Sequence, residues 1–331
     1  MAVIDIRRLR NVVLLSHSGA GTTSLSEALL FNTKAINRLG KVEDGNTVSD
    51  YEPEEAKRQT SVQTAVLNTP WREHKLNVLD TPGYADFRGE VVSGVRVADA
   101  AVIVVAAQAG VEVGTGQMWD LATGRGLSKV VYVSKMDRDN ADFVRSVESL
   151  NERFGRHLVP VQLPIGSEES FSGSVNLLDP EASVPDGLEG AVEEARDRLI
   201  EAIAEIDDDL ATKYLEGEEI TRAEMEAGLV QGIRQGTLVP VLAGSPLNGL
   251  GVKELLDLIV DFLPSPADRP PSVARVAGAE DDVELPTDSG GPLAALVFKT
   301  SADPFVGKLS LFRVYSGTLE SDSSLWNASR N

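Results

Sequence analysis

The sequence predicts a doubly wound α/β domain, and three observations carry that expectation. Short runs rich in Val, Ile and Leu alternate with longer amphipathic stretches through residues 1 to about 155. Runs that are apolar throughout suit parallel strands covered on both faces. Glycine-rich or polar strings follow the runs, at the sheet edge where such folds hold ligands. With 42% hydrophobic and 25% charged residues, the 331-residue chain has material for about two domains and a buried core, which excludes disorder.

In chain order, residues 11–15 read as the first strand and 24–30 as the first helix. Residues 40–63 have weak periodicity and many charges, and read as a long surface loop, a length that usually signals function. Residues 76–79, 100–107 and 130–133 read as further strands, and 142–154 as a helix. From about 158 to 239 the pattern turns helical. Ala191, Ala195, Leu199, Ile203, Ile206 and Leu210 line one face of a long acidic helix over 191–215. Thr221 and Glu224 form a capping box that opens a second helix. Residues 238–243 read as a strand and 252–262 as a helix. Pro264, Pro266, Pro270 and Pro271 mark a boundary and open a linker over 266–291. Residues 293–299 and 309–315 read as strands of a β unit over 292–331. Leu293, Leu296, Phe298, Leu309, Leu311 and Phe312 would there lack part of a core.

Several function classes are excluded. The chain has no cysteine, so disulfide scaffolds, thiol catalysis and cysteine-bound zinc fall away. Its three histidines, His17, His74 and His157, are far apart in sequence, which speaks against a His-rich metal site. The longest apolar run, 100–107, falls far short of the ~18 residues that a bilayer span needs. The first residues lack a signal-peptide pattern, so a soluble, cytoplasmic protein with no membrane partner is expected. A net charge of −20 speaks against DNA binding.

Four strings carry chemistry. Ser16-His17-Ser18-Gly19-Ala20-Gly21-Thr22-Thr23-Ser24 joins a strand to a helix. Such a turn aims backbone N–H groups and a helix dipole at an anion. Against the phosphate-loop pattern it has Ser16 for the first glycine and Thr22 for the lysine, while Gly21 and the Thr23 hydroxyl remain. Alone, it also fits an ordinary tight turn. Asp80-Thr81-Pro82-Gly83 follows an apolar strand, where a carboxylate can hold a magnesium-bound water and the Gly83 amide can meet a terminal phosphate. In Ser134-Lys135-Met136-Asp137, the last carboxylate can accept both N–H groups of guanine's Watson–Crick edge, and the lysine stem can cover the base. Gly244-Ser245-Pro246 follows the strand ending at Ala243. Four such strings in this order, each at the end of a strand, point to a nucleotide site.

Here the sequence resembles a known family. Residues 77–87, Lys135-Met136-Asp137-Arg138, the stretch 262–266, and Asp303-Pro304-Phe305-Val306-Gly307-Lys308 through Gly317 resemble elongation factor G and its paralogues among the translational GTPases. The resemblance spans the whole chain. It implies a P-loop GTPase domain over 1–265 with an α-rich subdomain inserted at about 158–239, then a β-barrel domain that stops partway. It implies GTP or GDP with Mg as cofactors, the ribosome and the guanine nucleotide as partners, and GTP hydrolysis as the activity. By it Thr23, Ser61 and Asp80 would serve the metal. Gly83 and Tyr84 would place the attacking water, and the acidic helix could face the ribosomal stalk.

Besides Ser16, the chain departs from the family pattern at five places. Thr22 replaces the phosphate-binding lysine, and Ser134 the guanine-motif asparagine. Pro246 replaces an alanine whose N–H meets the guanine oxygen, and proline has none. Tyr84 stands where the family has a water-orienting histidine, and Gln59 where the first switch has a glycine. Two functions follow as expectations: a translational GTPase with weakened hydrolysis, or a GTPase-fold module that docks on the ribosome without turnover.

Overall fold

The apolar runs form the middle of one seven-stranded sheet in the computed structural model, which describes residues 4–275, 281–303 and 307–329. In chain order its strands are β1 (Leu9–Ser16), β2 (Ala65–Trp71), β3 (His74–Asp80), β4 (Ala100–Ala106), β5 (Ser128–Ser134) and β6 (Leu158–Pro160). After β7 (Gln162–Ile165) and β8 (Gly173–Asn176), which pair only with each other, β9 (Val239–Ala243) returns to the sheet. The spatial order is β2-β3-β1-β4-β5-β9-β6, parallel except for β2, which runs antiparallel to β3. Every residue of β4 and β5 is buried, as strands covered on both faces must be. The chain starts at β1, fills one side with β3, then crosses to the other with β4. That reversal opens a crevice at the C-terminal ends of the strands.

The helices of this unit are α1 (Thr22–Asn32), α2 (Pro53–Arg58), α3 (Arg88–Arg96), α4 (Val113–Gly124), α5 (Phe143–Phe154), α6 (Glu189–Ala204), α7 (Asp208–Glu216), α8 (Arg222–Gln235) and α9 (Val252–Phe262). Two expectations are corrected here. Residues 40–63 are not a bare loop, because they carry a 3-10 turn over Val42–Asp44 and helix α2. Pro53 opens α2, and Glu52 and Glu55 cap it reciprocally. The long acidic helix is two helices. The Asp207 carboxylate accepts from the N–H groups of Asp209 and Leu210, so the chain starts a new helix there. The apolar face runs through the break, with Leu199 and Ile203 buried and Leu210 packed beside them, whereas Ala191 is exposed and Val192 takes its inward place. The box at Thr221 and Glu224 forms as expected and opens α8.

A second unit begins at Ser265. It holds two antiparallel pairs, β10 (Ser272–Arg275) with β11 (Asp282–Leu285), and β12 (Ala294–Asp303) with β13 (Gly307–Ser316). The stretch 266–291 therefore carries a hairpin as well as the prolines. The long pair β12–β13 is consistent with the beginning of a barrel. Leu293, Leu309 and Phe312 are exposed, and Leu296, Phe298 and Leu311 are half-buried. Of the motif that opens this unit, Pro304, Phe305 and Val306 lie outside the described residues. Among the described residues, no helix is long and apolar enough to cross a membrane.

Candidate functional site: a four-loop anion and base cleft

The first loop leaves β1 at buried Ser16 and is bent by two glycines in the left-handed region, Gly19 at φ +83° and Gly21 at φ +102°. Side chains rarely adopt that backbone, so these glycines set the turn. The Ala20 N–H donates to the His17 carbonyl at 3.2 Å. Gly21 caps α1 without any side chain, so the helix start is kept for an external acceptor. The second loop presses on the first. A Cβ on Gly83 would lie 2.8 Å from both Cα and N of Ser18.

Asp80 ends β3 fully buried. Its Oδ2 accepts from the Ser26 hydroxyl at 2.9 Å, and its Oδ1 has no partner. Burial pushes its carboxyl up from 3.8 to about 7. Nearby, Thr23 Oγ1 and Ser61 Oγ lie 2.9 Å apart, and Ser61 donates to Asp50 at 2.6 Å. Burial raises the Asp50 pKa, and the Ser61 hydrogen bond opposes that shift. Among the described residues, no three His, Cys, Asp or Glu side chains form a metal cage. The desolvated Asp80 carboxylate with these two hydroxyls suits Mg, which takes few protein ligands and completes its shell from phosphates and water. The orphaned Oδ1 of Asp80 fits such an ion.

This burial carries a pH-dependent consequence. Where the folded pKa lies above the unfolded one, stability is complete below the unfolded value and is lost as pH rises through the folded value. For Asp80 that window runs from about pH 4 to about 7. Asp80→Asn is expected to match wild-type stability near pH 4 and to exceed it above pH 7 by up to about 4 kcal/mol without nucleotide. Urea unfolding across this range checks it, and identical pH slopes in the two proteins would refute it.

The third and fourth loops hold each other. The Met136 N–H donates to the Gly244 carbonyl at 3.2 Å, and the Gly244 N–H to the Val133 carbonyl at 2.9 Å. A Cβ on Gly244 would strike the Tyr132 hydroxyl and lie 2.6 Å from the Leu250 carbonyl. Gly244→Ala is therefore expected to destabilise the unit by about 3 kcal/mol in urea titrations, because backbone and a buried ring must both shift. Lys135, at φ +61°, sends its Nζ to the Gly19 carbonyl at 2.6 Å and so ties the third loop to the first. Arg138 lies 3.7 Å from the Asp137 carboxylate.

The four loops enclose a cleft of about 600 Å³. Its walls include Ser16, Ser18, Gly19, Gly21, Thr22, Thr23, Ser24, Ser61, Gly83, Tyr84, Ser134, Lys135, Asp137, Ser245 and Pro246. The size is ordinary for a small-molecule site. The other candidates support the walls. His17 lies 3.4 Å from Glu112 and closely against Gly114. Ala20 and Met136 are core residues, Pro82 is buried, and Gly244 packs on Tyr132. Thr81 donates to the Leu14 carbonyl at 2.6 Å. Asp80 is buried off the wall. The only cations on the described wall are Lys135 and Arg138, and Glu43, Asp137 and Asp139 oppose them. Sequence reasoning missed Val42, Glu43, Gln108, Asp139 and Leu247 on this wall, and Asp50 behind it. Asp139 and Leu247 lie just past the third and fourth strings, whereas Val42, Glu43, Asp50 and Gln108 arrive by folding of neighbouring loops.

A family model described as the elongation factor Tu GTP binding domain matches residues 7–265. A crystal structure of a protein from Thermus thermophilus is similar over 94% of this chain at 36% identity and a TM-score of 0.82. The match covers 46% of that protein, so the chain spans about half its length. With this match over most of its length and the four-loop cleft in place, the chain belongs to the elongation factor Tu GTP-binding-domain family, the GTPase domain of the translational GTPases.

Proposed function

We propose that the chain is the nucleotide-binding part of an elongation-factor-G-like translation factor that works on the ribosome in the cytoplasm and hydrolyses GTP weakly. The observation that carries this reading is the single cleft walled by all four motif loops, with Lys135 bonded to Gly19 across it. Asp137 would read the guanine edge. Thr23 and Ser61 would hold Mg, with Asp80 behind them, and Mg when bound neutralises phosphate charge. Gly83 and Tyr84 would orient water. Tyr84 is exposed. A phenol is a poor general base, though it can orient water.

The wall's shortage of cations favours a second reading, a module that binds nucleotide and docks without turnover. Calorimetric titration with GTP, GDP and ATP in magnesium, followed by GTP turnover with and without ribosomes, tests both. Guanine-selective binding with turnover stimulated by ribosomes supports the first reading. Guanine-selective binding without turnover supports the second. Equal affinity for ATP and GTP would refute both.

A further inference from the structure

We propose that Glu168, in the turn between β7 and β8, is a positioning residue that holds the base-reading loop in place. This rests on the reading of the cleft as a guanine-nucleotide site, and it names a residue serving that site from outside its four strings.

Glu168 grips the third loop at two points. Its N–H donates to the Met136 carbonyl at 2.8 Å. Its Oε1 accepts from the Asn140 N–H at 2.6 Å. Met136 directly precedes Asp137, and Asn140 follows it by three positions. One residue thus brackets the stretch that carries the base-reading carboxylate. On its other side Met136 is held by the fourth loop, because its N–H donates to the Gly244 carbonyl. The N–H and the carbonyl of Met136 are therefore both fixed from outside the third loop. Within the loop, the Arg138 N–H donates to the Lys135 carbonyl and the Ala141 N–H to the Arg138 carbonyl, each at 3.1 Å. Those turns shape the loop, and the bonds to Glu168 attach it to the β7–β8 hairpin.

The turn is built to present this residue. Ser167 and Ser170 cap the 3-10 turn Glu168–Ser170 reciprocally, and the N–H of buried Phe171 returns to the Glu168 carbonyl at 3.1 Å. A Cβ on Gly166 would strike the Ser170 carbonyl, so the turn closes tightly on itself. Glu168 stands at φ +54°. A glutamate in the left-handed region costs free energy that a glycine there would not. The bond from Asn140 to its carboxylate gives that side chain a task. Lys135 and Asn140, at the two ends of the loop, hold φ +61° and +63°. A loop with such backbone at both ends does not keep its shape by local preference alone, and an outside anchor supplies what is missing.

Hydrogen bonds weaken steeply with misalignment. A loop released at Asn140 would tilt Asp137 and weaken both of its bonds to guanine together. Hypoxanthine lacks the exocyclic amine and has only one such bond to lose. The side chain of Glu168 needs to offer only an acceptor, which glutamine keeps and alanine lacks. Glu168 is exposed, so neither change removes core packing.

Calorimetry on the whole chain, its Glu168→Ala variant and its Glu168→Gln variant, with GDP, inosine diphosphate and ADP in magnesium, tests this. Glu168→Ala is expected to weaken GDP about fivefold and inosine diphosphate only about twofold. Glu168→Gln is expected to stay within about twofold of the parent for both. In hydrogen–deuterium exchange without nucleotide, the Asn140 amide is expected to exchange about tenfold faster in Glu168→Ala and at the parent's rate in Glu168→Gln, while β4 stays protected in both. Equal losses for GDP and inosine diphosphate would mean a merely structural role and overturn the proposal. So would an alanine variant that binds as the parent does, or a glutamine variant as damaged as the alanine one. A parent chain that binds no guanine nucleotide would sink the reading of the cleft and the base-reading role with it. Exchange at Asn140 tells that failure from a failure of the clamp, because it needs no nucleotide.

Discussion

Replacing Thr22 with lysine is expected to raise GTP affinity about 30- to 150-fold, as ~2–3 kcal/mol of charge-assisted hydrogen bonding returns to the phosphates. Thr22 is the first residue of α1 and stands on the cleft wall. No other lysine on the described wall is free to replace the missing charge, because Lys135 is committed to the Gly19 carbonyl. Pro246→Ala is expected to add a smaller gain, since it restores an N–H at the start of the turn Pro246–Asn248. The same change costs some folding stability, because alanine has greater freedom in the unfolded chain. On the proposed reading the two positions serve the phosphate and base ends, so their effects should add. Calorimetry on the single and double variants measures this. A double variant that binds GTP no better than the parent would show that Thr22 and Pro246 do not stand where phosphate and base are held.

How far the sequence reveals this molecule depends on what each feature needs. Strands β1, β4, β5 and β9 are legible because burial on both faces leaves a continuous apolar run, and β3 because Leu76, Val78 and Leu79 are buried around half-buried Asn77. Strand β2 is not. Its burial alternates, it contains Pro70, and its hairpin turn is Arg72-Glu73. Both turn residues hold positive φ without the Asn-Gly signal that would announce such a turn. Helix α2 is only six residues long, too short for a periodic face to emerge from charged surroundings. The break at Asp207 is hidden because the apolar periodicity continues through it. In the site, the four strings are local and therefore readable, and so are the substitutions at Thr22, Ser134 and Pro246. What joins them is not local. Lys135 reaches Gly19 across 116 residues of chain, and Ser61 reaches Asp50 only once the segment 40–63 has folded. Nothing in Asp50 as a letter distinguishes a buried fastening from a solvated acid.

Asp137→Asn should exchange guanine for xanthine as the preferred base. A carboxylate offers acceptors to both the ring N–H and the exocyclic amine of guanine. An amide offers one acceptor and one donor, which match the ring N–H and the C2 carbonyl of xanthine. Asp137 is well placed for such reading. It stands on the cleft wall, and the bond from the Met136 N–H to the Gly244 carbonyl fixes the backbone beside it. The side chain is only 20% exposed, so its partners are largely desolvated and a mismatch is felt strongly. Losing one charge-assisted bond and gaining an opposed donor should weaken GDP by ~3 kcal/mol, roughly 150-fold. Xanthosine diphosphate should gain by a comparable factor. Arg138 also loses its acidic neighbour, but an exposed pair at 3.7 Å contributes little and does not touch the base preference. Competition binding with GDP, xanthosine diphosphate and ADP separates the outcomes. A reversed preference between the first two, with ADP weak throughout, assigns base reading to Asp137. If the variant keeps the parent's preference, the base is read elsewhere, and Asp137 serves only to hold Arg138 and its loop.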